Sequence, residues 1–169
     1  MEAQGSEPVT QPAAWLPALV LLGDYGGDWP RYVEVLYRYF QDDFVTSKPV
    51  FRGEKLALKR HPVIEAKEAT FWHIISEGHH EAERLPDLRR CERVRWPRPV
   101  VEHADTPELK VWRNDRHGEE RVCLWFEAQD YLVVLARRKG YLLLWTAYPV
   151  MQEHTKRKLR REWGSSQKS

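Results

Sequence analysis

Apolar residues recur at helical spacing from Trp29 through Tyr32, Val33, Leu36 and Phe40 to Phe44, with Tyr37 and Tyr39 off the stripe. The spacing predicts a helix from Trp29 to about Asp43, capped by Asp28 and carrying Pro30 in its first turn. Residues 50–59 alternate as a strand does, and His61-Pro62 ends that run. A short helix is expected over 68–77, bearing Phe71, Trp72, Ile74 and Ile75 and stopped by Gly78. Residues 86–96 read as a further helix with Leu88, Cys91 and Val94 or Arg95 on one face, terminated by Pro97 and Pro99.

The period then changes. Residues 109–112, 121–127, 132–136 and 141–146 are β-rich runs, separated by short polar or glycine-containing connections that suit hairpins. A last helix runs from Pro149 to about Trp163, with Met151, Thr155, Leu159 and Trp163 on one side and Lys156, Arg157, Lys158, Arg160 and Arg161 around the rest. The order predicts an α+β fold: N-terminal helices packed on a four-stranded antiparallel β-meander, with a basic C-terminal helix. One domain is expected over 15–163, between flexible tails at 1–14 and 164–169.

Composition sharpens this picture in one respect. The 169 residues hold 27 Lys+Arg against 25 Asp+Glu, a net charge of +2. The average conceals a gradient: residues 1–50 carry −4, whereas residues 131–169 carry +7. A basic field of that kind attracts phosphate, although a charge run on a helix is more commonly a solvated face. At 31% charged and 42% apolar residues, the chain fits neither a membrane protein nor a fully disordered one. No run reaches the roughly 18 apolar residues of a membrane span. The apolar run 15–22 lacks the preceding basic stretch of a signal peptide. Cys91 and Cys123 lack metal-ligand spacing and read as buried thiols of a cytoplasmic protein.

Candidate chemistry narrows by elimination. His79-His80-Glu81 lacks the spacer of a zincin helix, and His73 has no histidine at i+4, so no metal site is expected. The segment 23–27, Gly-Asp-Tyr-Gly-Gly, lacks both the dinucleotide fingerprint and the P-loop lysine, and no cofactor is expected. His73 lies in an otherwise apolar helix; it is either a core histidine or a general acid or base. Arg89, Arg90 and Arg93 share one helical turn, where they either pair with Asp87 and Glu92 or clamp a phosphate by bidentate bonds. Thr146 and Tyr148 end the last strand just before a helix N-terminus, a place that gathers hydroxyls, free N–H groups and a positive dipole. Such a set suits metal-free cleavage of RNA, in which a base activates the ribose 2′-hydroxyl, an acid protonates the leaving 5′-oxygen, and cations hold the charge on phosphorus. Trp125, Trp145 and Tyr148 are candidates for stacking on bases.

The segment Phe71-Trp72-His73, the run Arg89-Arg90-Cys91-Glu92-Arg93-Val94-Arg95-Trp96 and a meander ending in Thr146-Ala147-Tyr148-Pro149 together resemble phage and bacterial ribonuclease-like toxins of the barnase–EndoU–colicin–RelE-like superfamily. The resemblance covers about residues 50–163. It implies helices on one face of an antiparallel sheet, a metal-independent endoribonuclease acting on tRNA or mRNA, and an inhibitor (antitoxin) protein as partner. It also implies His73 as the helix histidine, Arg90 or Arg93 as the phosphate-binding cation, and Thr146 with Tyr148 as the strand-end hydroxyls. Acid and base are not both assigned by it. Arg89, Lys59, His61, His80, Lys156 and Arg157 complete the candidates as substrate-binding residues. The alternative is a non-catalytic RNA- or protein-binding module of phage or prophage origin.

Overall fold

The computed structural model describes residues 13–78, 80 and 83–168; His79, Glu81 and residues 1–12 of the expected N-terminal tail lie outside them. Asp28 opens α1 (Trp29–Phe40), its Oδ1 accepting the Arg31 N–H at 3.2 Å, and the predicted stripe of Tyr32, Val33, Leu36 and Phe40 is buried. The helix then widens into a π-helical turn (Gln41–Thr46), which turns Phe44 into the core. β1 (Val50–Phe51) and β2 (Glu54–Ala57) form a hairpin. After them come α2 (Ala69–Ile75), the short pair β3 (Ser76–Glu77) and β4 (Leu85–Pro86), then α3 (Leu88–Glu92) and α4 (Pro97–Glu102). Four long strands follow: β5 (Lys110–Arg116), β6 (Glu119–Phe126), β7 (Tyr131–Arg138) and β8 (Tyr141–Pro149). The chain closes with α5 (Glu153–Ser166).

The α+β class and the β5–β8 meander agree with the sequence pattern, but the sheet is larger and mixed. Its order is β1-β2-β8-β7-β6-β5, and β2 lies parallel to β8 through Leu56↔Leu142 and Ala57↔Leu143. The expectation of a four-stranded antiparallel sheet is thus corrected to six strands. The run 50–59 is two strands instead of one because Arg52 and Gly53 take positive φ (47° and 86°) and reverse the chain. The helix expected over 86–96 is also divided. Asp87 caps α3 by accepting the Arg90 N–H at 3.0 Å, and the chain leaves helical geometry at Arg93. Pro97 then opens α4 instead of ending a helix, since a first-turn position needs no N–H donor.

Both faces of the sheet are covered. On one, Val122, Leu124, Phe126, Tyr131, Val133 and Leu135 pack with Tyr32, Leu36 and Phe40 of α1 and Phe71 and Ile75 of α2. On the other, Trp112, Cys123, Trp125, Leu132 and Val134 meet Leu159 and the flank of Trp163 from α5. Strands buried on both faces read as continuous apolar runs, which is the character of Val122–Phe126 and Tyr131–Ala136. A bulge interrupts β8: Thr146 faces Val134 and Leu144 faces Leu135, leaving Trp145 as the extra residue.

Two predictions follow from the packing. Leu159 is the one fully buried side chain of α5. Leu159→Ala should cost about 2–4 kcal/mol in denaturant unfolding and speed amide exchange across α5 before the rest of the chain. In the π-helical turn, burial pushes the Asp43 carboxyl up to about 6 against the pull of Arg98 and Arg95. A raised carboxyl pKa means that the folded state holds its proton while the unfolded chain has lost it, so stability falls as pH rises from about 4 to 6. Asp43→Asn should therefore have a higher melting temperature than the native chain at pH 7, with the gap closing near pH 4.

Candidate functional site

The C-terminal end of β8, α3 and the start of α5 enclose a cleft of about 240 Å³ lined by Arg89, Arg90, Tyr148, Gln152 and Thr155. A second cleft of about 630 Å³, on the β3–β4 side, is lined by Gly78, Leu85, Arg90, Trp145, Thr146 and Tyr148. The two share Glu77, Arg90 and Tyr148 and make one groove. Two other clefts, each of about 560 Å³, hold none of the site residues predicted from the sequence.

Arg90 is the centre of the groove. Its helix position is set by the Asp87 cap, and its Nη1 donates to the Ser76 carbonyl at 2.7 Å. The guanidinium carbon lies 5.0 Å from the centroid of the Tyr148 ring. Among the described residues no carboxylate comes within ion-pair distance of it. Burial lowers its pKa, opposed by Asp87 and Glu77, and a guanidinium stays charged regardless. Burial likewise raises the Tyr148 phenol above its usual range, with Arg116 and Arg90 pulling the other way, so Tyr148 keeps its proton at neutral pH.

His73 stands behind this groove. It is 3% exposed, in the last turn of α2. Its ring meets Trp145 edge-to-face at 5.5 Å, and its carbonyl accepts the Thr146 hydroxyl at 3.3 Å. The imidazole therefore forms part of the packed wall under Trp145 and Thr146, and it lines neither cleft.

Around Trp145 the strands gather further cations. The side-chain cations of Arg121, Arg138 and Lys59 lie 4.3, 5.5 and 6.0 Å from its ring centroid. Glu119 joins two of them, accepting from Arg121 Nη2 at 2.6 Å and from Arg138 Nη1. Sequence reasoning missed Arg121, Arg138 and Glu119. Period-2 alternation does place Glu119 and Arg121 on the face of Trp125, but their meeting with Trp145 depends on cross-strand register and on the bulge.

The remaining candidates divide clearly. Arg89 is exposed and lines the smaller cleft. Arg93 turns away: it stacks on Trp96 at 5.1 Å, and its Nη1 donates to the Arg89 carbonyl at 3.0 Å. Lys59 is anchored by its backbone N–H to Thr70 Oγ1 at 2.7 Å, with its amine beside Trp145. His61 and His80 are exposed and line neither part of the groove. Lys156 is held by Asp130 at 2.9 Å and Glu153 at 3.6 Å, while Arg157 is exposed on α5 without an ion pair among the described residues. The structure thus unites Arg89, Arg90, Thr146 and Tyr148, backs them with His73, and leaves Arg93, His61, His80 and Lys156 outside.

Among the described residues no group of three or more His, Cys, Asp or Glu is placed to hold a metal ion, and no helix is long and apolar enough to cross a membrane. Cys91 and Cys123 are buried free thiols, pushed by burial up to about 12 and about 11, so neither is a nucleophile at neutral pH. Compared with models of known families, with curated proteins and with solved structures, the chain matches none.

Because the His73 ring is packed, its truncation has a structural signature. His73→Ala should lower stability by roughly 2 kcal/mol, the scale of a shortened core side chain, and shift Trp145 fluorescence. A denaturation midpoint equal to that of the native chain would mean that the ring is not packed in this way.

Proposed function

We propose that the groove at the end of β8 binds the phosphodiester backbone of RNA and cleaves it without a metal ion. The observation that carries this reading is Arg90: half-buried, stacked on Tyr148, free of any carboxylate partner among the described residues, and facing a cleft it shares with Arg89 and Thr146. A cation held in that state, with Asp87 and Glu77 near it but no carboxylate ion-paired to it among the described residues, favours an oxyanion ligand, because its planar fork matches two phosphate oxygens.

The chemistry runs through the 2′-hydroxyl of the substrate. Its oxygen attacks phosphorus, the bond to the 5′-oxygen of the next nucleotide breaks, and a 2′,3′-cyclic phosphate and a 5′-hydroxyl result. Arg90 and Arg89 hold the negative charge that builds on the phosphoryl oxygens. Tyr148, protonated at neutral pH, gives a proton to the leaving oxygen. Thr146 lines the same wall, the His73 ring packed behind it positions Trp145 without reaching the cleft, and the 2′-hydroxyl proton passes to solvent water in the groove. The same activity underlies the toxin reading and its inhibitor partner.

The burial of His73 favours a second reading, a non-catalytic RNA-binding module that uses the same groove. Incubation of the purified protein with total RNA in EDTA, followed by analysis of product ends, separates the two. Cleavage should leave cyclic phosphates, and Arg90→Ala should slow it on the order of 100-fold with the fold retained. RNA that is bound but left intact would replace cleavage by the binding reading.

A further inference from the structure

The cations of α5 fall into two sets. Lys156 is held by Asp130 and Glu153, Arg160 by Glu127 at 3.0 Å, and Lys158 lies 4.0 Å from Glu162. Arg157 and Arg161 make no ion pair, hydrogen bond or ring contact among the described residues, and both are exposed. They stand one turn apart, about 6 Å along the axis. His154, three residues before Arg157, is on the same side of the helix and also exposed.

Of the two acidic residues of α5, Glu153 opens the same row one turn before Arg157 and lies 3.6 Å from Lys156. Glu162 faces the sheet, where it accepts from Trp112 Nε1 at 3.3 Å and Asn114 Nδ2 at 3.1 Å and lies 3.6 Å from Arg116. The groove lies near the start of the same helix, where Gln152 and Thr155, on the side turned away from the ridge, line the smaller cleft with Arg89 and Arg90. At its other end Arg161 and Ser165 line a shallow cleft with Arg113 and Asn114 of β5.

We infer that the Arg157–Arg161 ridge of α5 is a backbone track that holds the phosphates of a single-stranded RNA beyond the groove. This rests on the RNA reading of the groove and extends it to a substrate longer than the cleft itself. Charge and composition argue for a polyphosphate here and not for an acidic protein. The ridge presents arginines and no apolar side chain, whereas a protein interface needs a desolvated apolar or aromatic centre. Phosphate contacts from flexible exposed cations position a strand without reading its sequence.

The test uses non-cleavable 2′-O-methyl RNA, a 20-mer and a tetramer of the same composition, with binding to the full chain followed by anisotropy across a salt series. Arg157→Gln with Arg161→Gln should weaken the 20-mer about tenfold and reduce its log–log salt slope by about 1.4, while the tetramer is bound as before. Equal affinity and slope for the 20-mer would overturn the track. Weakening of the tetramer by the same factor would overturn it too, placing the effect in the groove or in the helix fold. Competition by polyglutamate as effective as polyuridylate, at equal charge, would overturn the preference for phosphate. A native chain that binds the 20-mer through the ridge but never binds the tetramer would keep the track and remove the groove reading; one that binds neither removes both.

Discussion

Everything in this fold depends on burying two strands from both sides. β6 and β7 carry apolar residues at successive positions, not alternate ones, so neither face can be left to water. α1 and α2 cover one face, and the other needs a cover that the N-terminal half does not supply. α5 provides it with one buried leucine and the flank of Trp163, assisted by Glu162, which ties the helix to β5 through Trp112, Asn114 and Arg116. Because the start of α5 meets the end of β8 and α3 across a gap instead of a packed contact, the groove exists where the cover ends.

The parts legible in the sequence are those fixed by local period. The α1 stripe, α2 and the hairpins of the meander could be placed because each signal lies within a dozen residues. What escaped is nonlocal or rests on a single φ angle. The strand run 50–59 contained its own reversal at Arg52-Gly53, and the parallel pairing of β2 with β8 joins residues more than eighty positions apart. Pro97 shows that one residue can both end and begin a helix, and pattern alone does not say which.

The site was legible to a similar degree. Arg89, Arg90, Thr146 and Tyr148 converge because α3 and the end of β8 are neighbours, and their residue types had suggested as much. His73 divides the two possibilities its sequence left open, since an imidazole in an apolar helix can face inward or toward a ligand and the pattern is identical. Charge was the least transparent property: a run of five cations on one helix looks uniform in sequence, yet Lys156 and Arg160 are consumed by partners from distant loops, while Arg157 and Arg161 are not. The cluster at Trp145 had no local signal, being assembled from β6, β7, β8 and the segment that follows β2.

The short pairing of β2 with β8 makes β8 a strand of two characters. Up to Leu143 it is an interior strand with neighbours on both sides; beyond that point it is a sheet edge. Edges left open recruit other chains, and this one is closed by a helix, with the Thr146 hydroxyl fastened to a carbonyl of α2. The bulge falls in that half of the strand. The molecule thus places its most chemically varied residues at an unfinished border of the sheet, where the backbone no longer owes every hydrogen bond to a neighbouring strand. A site grown there can change its side chains without unpicking the ladder that holds the fold together.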